Sequence, residues 1–262
     1  MTFIRSVTID PNKVQPFPYN IPAVQFAKNI QLDNINIFVG DNGTGKSTLL
    51  ECIAYAINLP LIGGYIKDVR DFEAAKILRP HVQVDWKHNT KVGFFFRAED
   101  FSAFIDSVEK ERNKLRGQLG DLQGNVPDWV INTMSENANY SLRQMRNTYG
   151  DDMLAFSHGE AYLKIIQERV KNKGIFLLDE PEAALSPLKQ LSLIAFILDV
   201  VKQRNSQFII ATHSPILMGI PGAKIFEIQQ DGMQQLAFED TEHYRITKSF
   251  LDNPEAYLRY LE

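Results

Sequence analysis

A single cysteine, Cys52, stands among 262 residues, so neither an internal disulfide nor a cysteine-rich metal site can form. Long apolar stretches are missing too. Runs such as Gly174–Leu178 and Phe208–Ala211 end after a few residues, whereas a membrane-crossing helix needs about 20. The opening Met1-Thr2-Phe3-Ile4-Arg5 lacks the basic stretch, apolar run and small-residue cleavage site of a secretory leader. The expectation is a cytoplasmic chain without membrane insertion. An excess of basic charge is also absent. The net charge is −4, and proteins held on nucleic acid by phosphate neutralisation usually carry a basic domain. What is present is a core: hydrophobic residues make up 44% of the chain, 17 of them Phe, which excludes wholesale disorder. The length suits one large domain, or a core carrying a small inserted lobe.

Short β-rich runs alternate with helical patterns, the signature of an α/β fold with a largely parallel sheet. Phe3–Ile9 reads as a strand, and Val14–Asn20, with two prolines, as a loop or edge segment. Ile35–Val39 is a short apolar strand ending at Gly40, with a helix over Ser47–Ile57. Val82–Trp86 and Val92–Phe96, separated by the polar Lys87-His88-Asn89-Thr90, predict a hairpin. From Asp100 to Tyr149 charged and amide residues dominate, Gly117, Gly120 and Gly124 interrupt, and Pro127 opens a second helix. That composition predicts a helical lobe over 100–150, inserted into a core formed by 1–99 and 151–262. Helices are expected at Gly159–Lys171 and Pro187–Gln203, and buried strands at Ile175–Leu178 and Phe208–Ala211. A closing hairpin turns at Asp231-Gly232, and two short helices end the chain.

Gly40-Asp41-Asn42-Gly43-Thr44-Gly45-Lys46-Ser47 fits G-x-x-x-x-G-K-[ST], followed by Thr48. Glycines let a backbone fold into a nest of N–H groups aimed at phosphate oxygens. The helix that starts near Lys46 adds its positive end. Lys46 reaches the β- and γ-phosphates, and the Ser47 hydroxyl can ligate Mg²⁺. The motif also lies between a predicted strand and a predicted helix, the context it requires. Nucleotide binding is the expectation, with Gly40, Asp41, Asn42, Gly43, Thr44, Gly45, Lys46, Ser47 and Thr48 as the phosphate-binding residues.

Ile175-Phe176-Leu177-Leu178-Asp179-Glu180-Pro181 sets two acids at the end of an apolar strand. Such a strand delivers its last carboxylate to the edge of the sheet where ligands bind. Asp179 is therefore placed to hold Mg²⁺, usually through water. Glu180 alternates to another direction and can polarise an attacking water. Ser157, with Glu160 three residues on, also forms a capping box at the start of a helix. A helix N-terminus aimed at an anion is itself a binding device.

Three further segments carry a resemblance: Phe156-Ser157-His158-Gly159-Glu160, Pro181-Glu182-Ala183-Ala184-Leu185-Ser186 and Ala211-Thr212-His213-Ser214. With the phosphate loop and the strand-end acids, their order resembles that of ABC-type ATPases: Walker A, signature, Walker B, D-loop and H-loop. The chain looks most like bacterial soluble ATPases of the AAA/ABC type, related to the SMC and recombination-repair branch. The fold this implies is an α/β P-loop NTPase with an ABC-ATPase-like core sheet, a β-rich N-terminal part and the inserted helical lobe.

The resemblance implies ATP as ligand, with Mg²⁺. It implies that Ser157 donates to the γ-phosphate held by a second protomer, that the backbone of Gly159 passes close to it, and that His213 contacts the γ-phosphate and the lytic water. Catalysis would then fall to Glu180, His213 and Lys46, and the metal to Ser47 and Asp179. His158 stands where the commoner signature has glycine, and Ser186 where the D-loop has aspartate. No glutamine occupies the Q-loop region, where Arg97 or Glu99 would substitute. Tyr19 or Phe17 would either stack on adenine or pack against apolar neighbours.

The expected function is ATP hydrolysis by an ATP-dependent homodimer that works as a mechanical switch. The favoured setting is DNA repair, genome maintenance or anti-phage defence, with nucleic acid or an effector protein as partner. The alternatives are the nucleotide-binding subunit of an ABC transporter and a nucleotide-gated module with little hydrolysis.

Overall fold

The computed structural model describes residues 2–10, 16–62, 72–101, 110, 113, 114 and 158–259, with the backbone alone for 158–161. The expected lobe over 100–150 lies almost wholly outside the described residues, as does Ser157. The first half of the chain forms β1 (Ile4–Ile9), α1 (Pro22–Gln25), β2 (Ile30–Gln31), β3 (Ile35–Gly40), α2 (Lys46–Ala56), α3 (Glu73–Leu78), β4 (Val82–Trp86) and β5 (Gly93–Arg97). The second half forms α4 (His158–Arg169), β6 (Ile175–Asp179), α5 (Pro187–Arg204), β7 (Gln207–Ala211), α6 (Pro215–Met218), β8 (Lys224–Ile228), β9 (Met233–Leu236), α7 (Glu242–Asp252) and α8 (Glu255–Leu258).

Six strands make the main sheet in the order β5-β6-β7-β3-β8-β9. All its pairings are parallel except the closing hairpin of β8 and β9. Strands β3, β6 and β7 are buried along their full length, as expected of strands covered on both faces. Their alternate residues feed two cores. Ile37, Phe176, Leu178, Phe208 and Ile210 face one, with α4 and α5. Phe38, Ile175, Leu177 and Ile209 face the other, with α2 and the smaller sheet. Each such side chain contributes roughly 1.5–3 kcal/mol by leaving water.

The predicted hairpin of the two strands around Lys87-His88-Asn89-Thr90 does not form. β4 pairs antiparallel with β1 in a separate sheet of order β2-β1-β4, while β5 lies parallel to β6 in the main sheet. The burial patterns give the reason. β4 is buried at only one of its five positions, whereas Phe94, Phe95 and Phe96 are buried without a break. A strand apolar on both sides belongs inside a covered sheet and cannot share an exposed hairpin with a one-sided partner.

Gln207 joins the two sheets. Its fully buried amide accepts from the main-chain N–H groups of Phe3 (3.1 Å) and Ile4 (2.8 Å). It donates to the carbonyls of Ile4 and Asp33, both at 2.9 Å.

Candidate functional site

The order β6-β7-β3 explains why motifs far apart in sequence converge. Asp179 sits beside Ala211 in the β6–β7 register, and Phe38 beside Ala211 in the β3–β7 register. The carboxyl ends of these three strands therefore emerge together, delivering the Gly40–Ser47 loop, the Asp179-Glu180 pair and Thr212-His213 to one edge. Ligands of open α/β sheets bind at that edge.

The loop conformation depends on glycine at two positions. Gly40 has φ 143°, and a Cβ there would sit 2.2 Å from the Ile228 carbonyl oxygen; Gly45 has φ 91°, and its Cβ would meet Ile21 Cγ2 at 2.1 Å. α1 braces the loop from outside, with the Ala23 N–H donating to the Thr44 carbonyl at 2.9 Å. Thr44 is spent on the loop itself, its hydroxyl donating to the Asp41 carbonyl at 2.8 Å. Beyond Gly45, Lys46, Ser47 and Thr48 begin α2, whose first-turn N–H groups have no acceptor within the helix.

Lys46 is buried, and its ammonium donates to the carbonyls of Gly40 (2.8 Å) and Asp41 (3.0 Å). Burial lowers its pKa, opposed by the carboxylates of Glu180, Asp179, Asp41 and Glu182. The cation is thus folded onto carbonyls it can exchange for phosphate oxygens. Ser47 donates its hydroxyl to Asp179 Oδ1 at 3.1 Å, which places two hard oxygen donors side by side, the donor chemistry Mg²⁺ prefers. A cleft of about 540 Å³ opens along the loop, walled by Phe17, Asn42, Lys46, Glu180 and Gln230. Phe17 is 66% exposed there, whereas Tyr19 packs edge-on against His81, ring centroids 5.6 Å apart. Of the two aromatic candidates, Phe17 is the one with a face open to the cleft.

Glu180 leaves the strand in the left-handed region, φ 49°, where a residue with a side chain is uncommon. This turn separates its carboxylate from that of Asp179. Asp179 is 4% exposed, Glu180 45% at its side chain. His213 Nε2 lies 3.7 Å from Glu180 Oε1, and its main-chain N–H donates to Glu182 Oε1 at 2.6 Å. Burial, followed by the Lys46 charge, holds the His213 imidazole below its usual pKa. Ser186, in the segment that resembles a D-loop, is the residue before α5. The segment expected to be the signature falls at the edge of what is described: Ser157 lies outside it, and Gly159 lies within α4 (His158–Arg169).

Arg97, at the end of β5, is the hub behind the acids. Its guanidinium pairs with Glu51 (3.0 Å) and Glu99, and reaches Asp179 Oδ2 at 3.6 Å and Asp100 Oδ2 at 4.0 Å. Its cationic face lies over the Phe72 ring, 5.0 Å from the centroid. One cation cannot neutralise four carboxylates. Burial pushes Asp179 up to about 7, with Ser47 and Arg97 holding it down. Burial likewise raises Glu51 to about 7, against the pull of Arg97.

Glu51, Gln230 and His243, the last in contact with His213, were not singled out by the sequence. Glu51 carries a signal, since it falls one helical turn after Ser47 on the same face of α2. Gln230 and His243 reach the site only through tertiary packing and have no local signature.

Among the described residues, no helix is long and apolar enough to cross a membrane. A family model described as ABC transporter matches residues 25–183, and one described as AAA ATPase domain matches residues 153–218. A Methanosarcina acetivorans protein named as an ABC transporter ATP-binding protein is 31% identical over 189 residues, 67% of this chain and 61% of that protein. The phosphonates import ATP-binding protein PhnC of Alcaligenes faecalis is 24% identical over 188 residues, 68% of this chain and 63% of its own length. The chain therefore spans about three fifths of the length of these curated relatives. Among solved structures, the Smc head domain of Pyrococcus furiosus, bound to the C-terminal domain of ScpA, shares the fold. Its TM-score is 0.50 at 11% identity, covering 95% of this chain and all of the other.

Proposed function

The chain belongs to the ABC transporter family of ATP-binding proteins, whose members hydrolyse ATP, and from that premise we propose that it is an ATPase with its catalytic centre at the shared edge of β3, β6 and β7. The observation that carries this reading is that Lys46, Ser47 and Glu180 line one cleft, with Asp179 bonded to Ser47 and His213 beside Glu180. The loop N–H groups and Lys46 hold the β- and γ-phosphates. Ser47 and Asp179 would hold Mg²⁺, which when bound supplies positive charge to the phosphate oxygens. Glu180, the more exposed acid, accepts the proton of the attacking water. His213, beside Glu180, contacts the γ-phosphate. Phe17 offers its exposed ring to the adenine. Replacing Phe17 by Ala is expected to weaken ATP binding several-fold, about 1 kcal/mol for a lost aromatic contact, with phosphate release at saturating ATP unchanged. Isothermal titration calorimetry checks the first half, and a phosphate-release assay the second.

A signature helix that serves another chain's nucleotide requires a second copy. In the proposed arrangement Ser157 and Gly159 of one protomer complete the site of the other, and two ATP molecules lie between them. ATP then favours the closed pair because it binds that state better, and loss of the γ-phosphate releases it. The inserted segment over 100–150 is the proposed contact for whatever the motion drives. The relatives named above are transport ATP-binding proteins, which supports a transporter's nucleotide-binding subunit over the DNA-maintenance role expected from the sequence. The likeness to the Smc head is one of fold alone. A tagged chain expressed in its own host and purified from detergent-solubilised membranes tests this. Retention of a membrane-spanning subunit supports the transporter setting, and recovery of the chain only from the aqueous fraction counts against it.

A further inference from the structure

Two histidines meet beside Glu180, which lines the cleft. His213 follows β7, and His243 is the second residue of α7. His213 Nδ1 and His243 Nε2 are 3.1 Å apart, their rings tilted at a centroid distance of 5.3 Å. The other nitrogen of His213, Nε2, faces Glu180 at 3.7 Å. The start of α7 is fixed in place: the Glu242 N–H donates to Glu227 Oε1 at 2.9 Å, and the buried Thr241 hydroxyl to the Phe238 carbonyl at 2.8 Å.

A hydrogen bond between two neutral imidazoles has one donor and one acceptor, so the proton can be placed in two ways. With the proton of His213 on Nδ1, His243 Nε2 accepts. The bare His213 Nε2 then faces a carboxylate oxygen, acceptor against acceptor. His243 must also carry its own proton on Nδ1, which is buried with no hydrogen-bond partner among the described residues. With the proton of His213 on Nε2, the clash of acceptors vanishes: the buried Nε2, which has no hydrogen-bond partner among the described residues, sets its N–H against a carboxylate oxygen 3.7 Å away, an attraction of charge and dipole rather than a hydrogen bond. His243 Nε2–H donates to His213 Nδ1, its unpartnered Nδ1 is a bare acceptor, and His213 presents an N–H toward Glu180. Each arrangement leaves one buried N–H without a hydrogen bond among the described residues, and the second sets that N–H against the Glu180 carboxylate. The lowered pKa of His213 agrees with a neutral ring.

We propose that His243 is a positioning residue, which by donating Nε2–H to His213 Nδ1 keeps the His213 proton on Nε2, the nitrogen turned toward Glu180. The inference rests on the reading of His213 as a phosphate-facing group. It adds that helix α7, which carries none of the nucleotide motifs, sets the hydrogen-bonding state of the site. Where the imidazole is a metal ligand, partners that fix it in this way are typically worth about 10–100-fold, and the same scale is expected here.

Two readouts test it on the full chain. In ring-¹⁵N-histidine-labelled protein without nucleotide, with His213→Gln assigning the resonance, the expected His213 tautomer is protonated at Nε2. In His243→Phe, which keeps a ring and removes the donor, His213 becomes a mixture of tautomers. In ATP hydrolysis, His243→Phe lowers kcat about 10-fold or more with KM for ATP unchanged, and His243→Gln, which restores an N–H donor, recovers part of the loss. Thermal melting of both variants shows that they are folded. Wild-type His213 protonated at Nδ1 overturns the proposal, as does an unchanged kcat in His243→Phe. A wild-type chain that releases no phosphate overturns the catalytic reading of His213, while the nitrogen spectrum still decides the pairing.

Discussion

Glu180→Gln is expected to lower phosphate release by about a hundred- to ten-thousand-fold, the usual worth of a positioned general base, while ATP binding survives. The asymmetry follows from where the two strand-end acids sit. Asp179 is buried, accepts the Ser47 hydroxyl and is steadied by Arg97. Glu180 is turned out of the strand by its left-handed backbone and stands half-exposed beside His213. Only the second can reach a water without disturbing the phosphate loop. Glutamine keeps the shape of Glu180 and removes its basicity, so calorimetry should find ATP affinity within a few-fold of wild type. A variant that still hydrolyses at the wild-type rate would assign the base elsewhere. A variant that no longer binds ATP would mean that Glu180 holds the nucleotide.

Arg97→Ala should be the most destabilising single change near the site. Its side chain is 11% exposed and contacts four carboxylates, two of which, Glu51 and Asp179, have side chains only 12% and 5% exposed. Removing one partner of a buried ion pair costs about 3–5 kcal/mol, because the remaining charge is left without compensation. Urea denaturation reads the loss as a lower midpoint. The pH dependence has a definite sign. Glu51 and Asp179 are raised to about 7 in the folded chain by burial, well above ordinary carboxylates. Between roughly pH 4 and pH 7 the folded state therefore binds protons that the unfolded state has released, and stability falls as pH rises. Without the cation that lowers both groups, the fall should be steeper and extend above pH 7. The deficit of Arg97→Ala relative to wild type is thus larger at about pH 8 than at about pH 5.5. An equal deficit at the two values would mean that the arginine acts through packing on Phe72 alone.

The phosphate loop and the strand-end acids were legible in the sequence because their chemistry is local. A glycine turn, a lysine and a serine at the head of a helix, and two acids after an apolar strand each declare themselves within a few residues. The strands and helices around them were readable for the same reason. The pairing of β4 and β5 was misread because a polar connector of hairpin length bounds both strands, and the sheet each one joins depends on which faces the rest of the chain covers. Of the two adenine candidates, exposure and packing separated Phe17 from Tyr19, and no local pattern could have done so. The network around Arg97 was half legible. The resemblance marked Arg97 or Glu99 only as a substitute for the Q-loop glutamine, whereas the convergence of Glu51, Glu99, Asp100 and Asp179 on one guanidinium arises from β5 lying next to β6. His243 was silent, because nothing in Thr241-Glu242-His243 marks a residue whose partner is a strand-end histidine.

The shared nucleotide site is the boldest part of the proposed function, and a mass measurement tests it most directly. Light scattering of Glu180→Gln on a size-exclusion column, at saturating ATP and Mg²⁺, should give the mass of two chains, falling to one when ADP replaces ATP. Ser157→Arg, which sets a long cation where a helix tip should approach the other chain's phosphates, should restore the single-chain mass in ATP. A chain that remains alone at saturating ATP, with nucleotide bound, would contradict a site completed by a second copy.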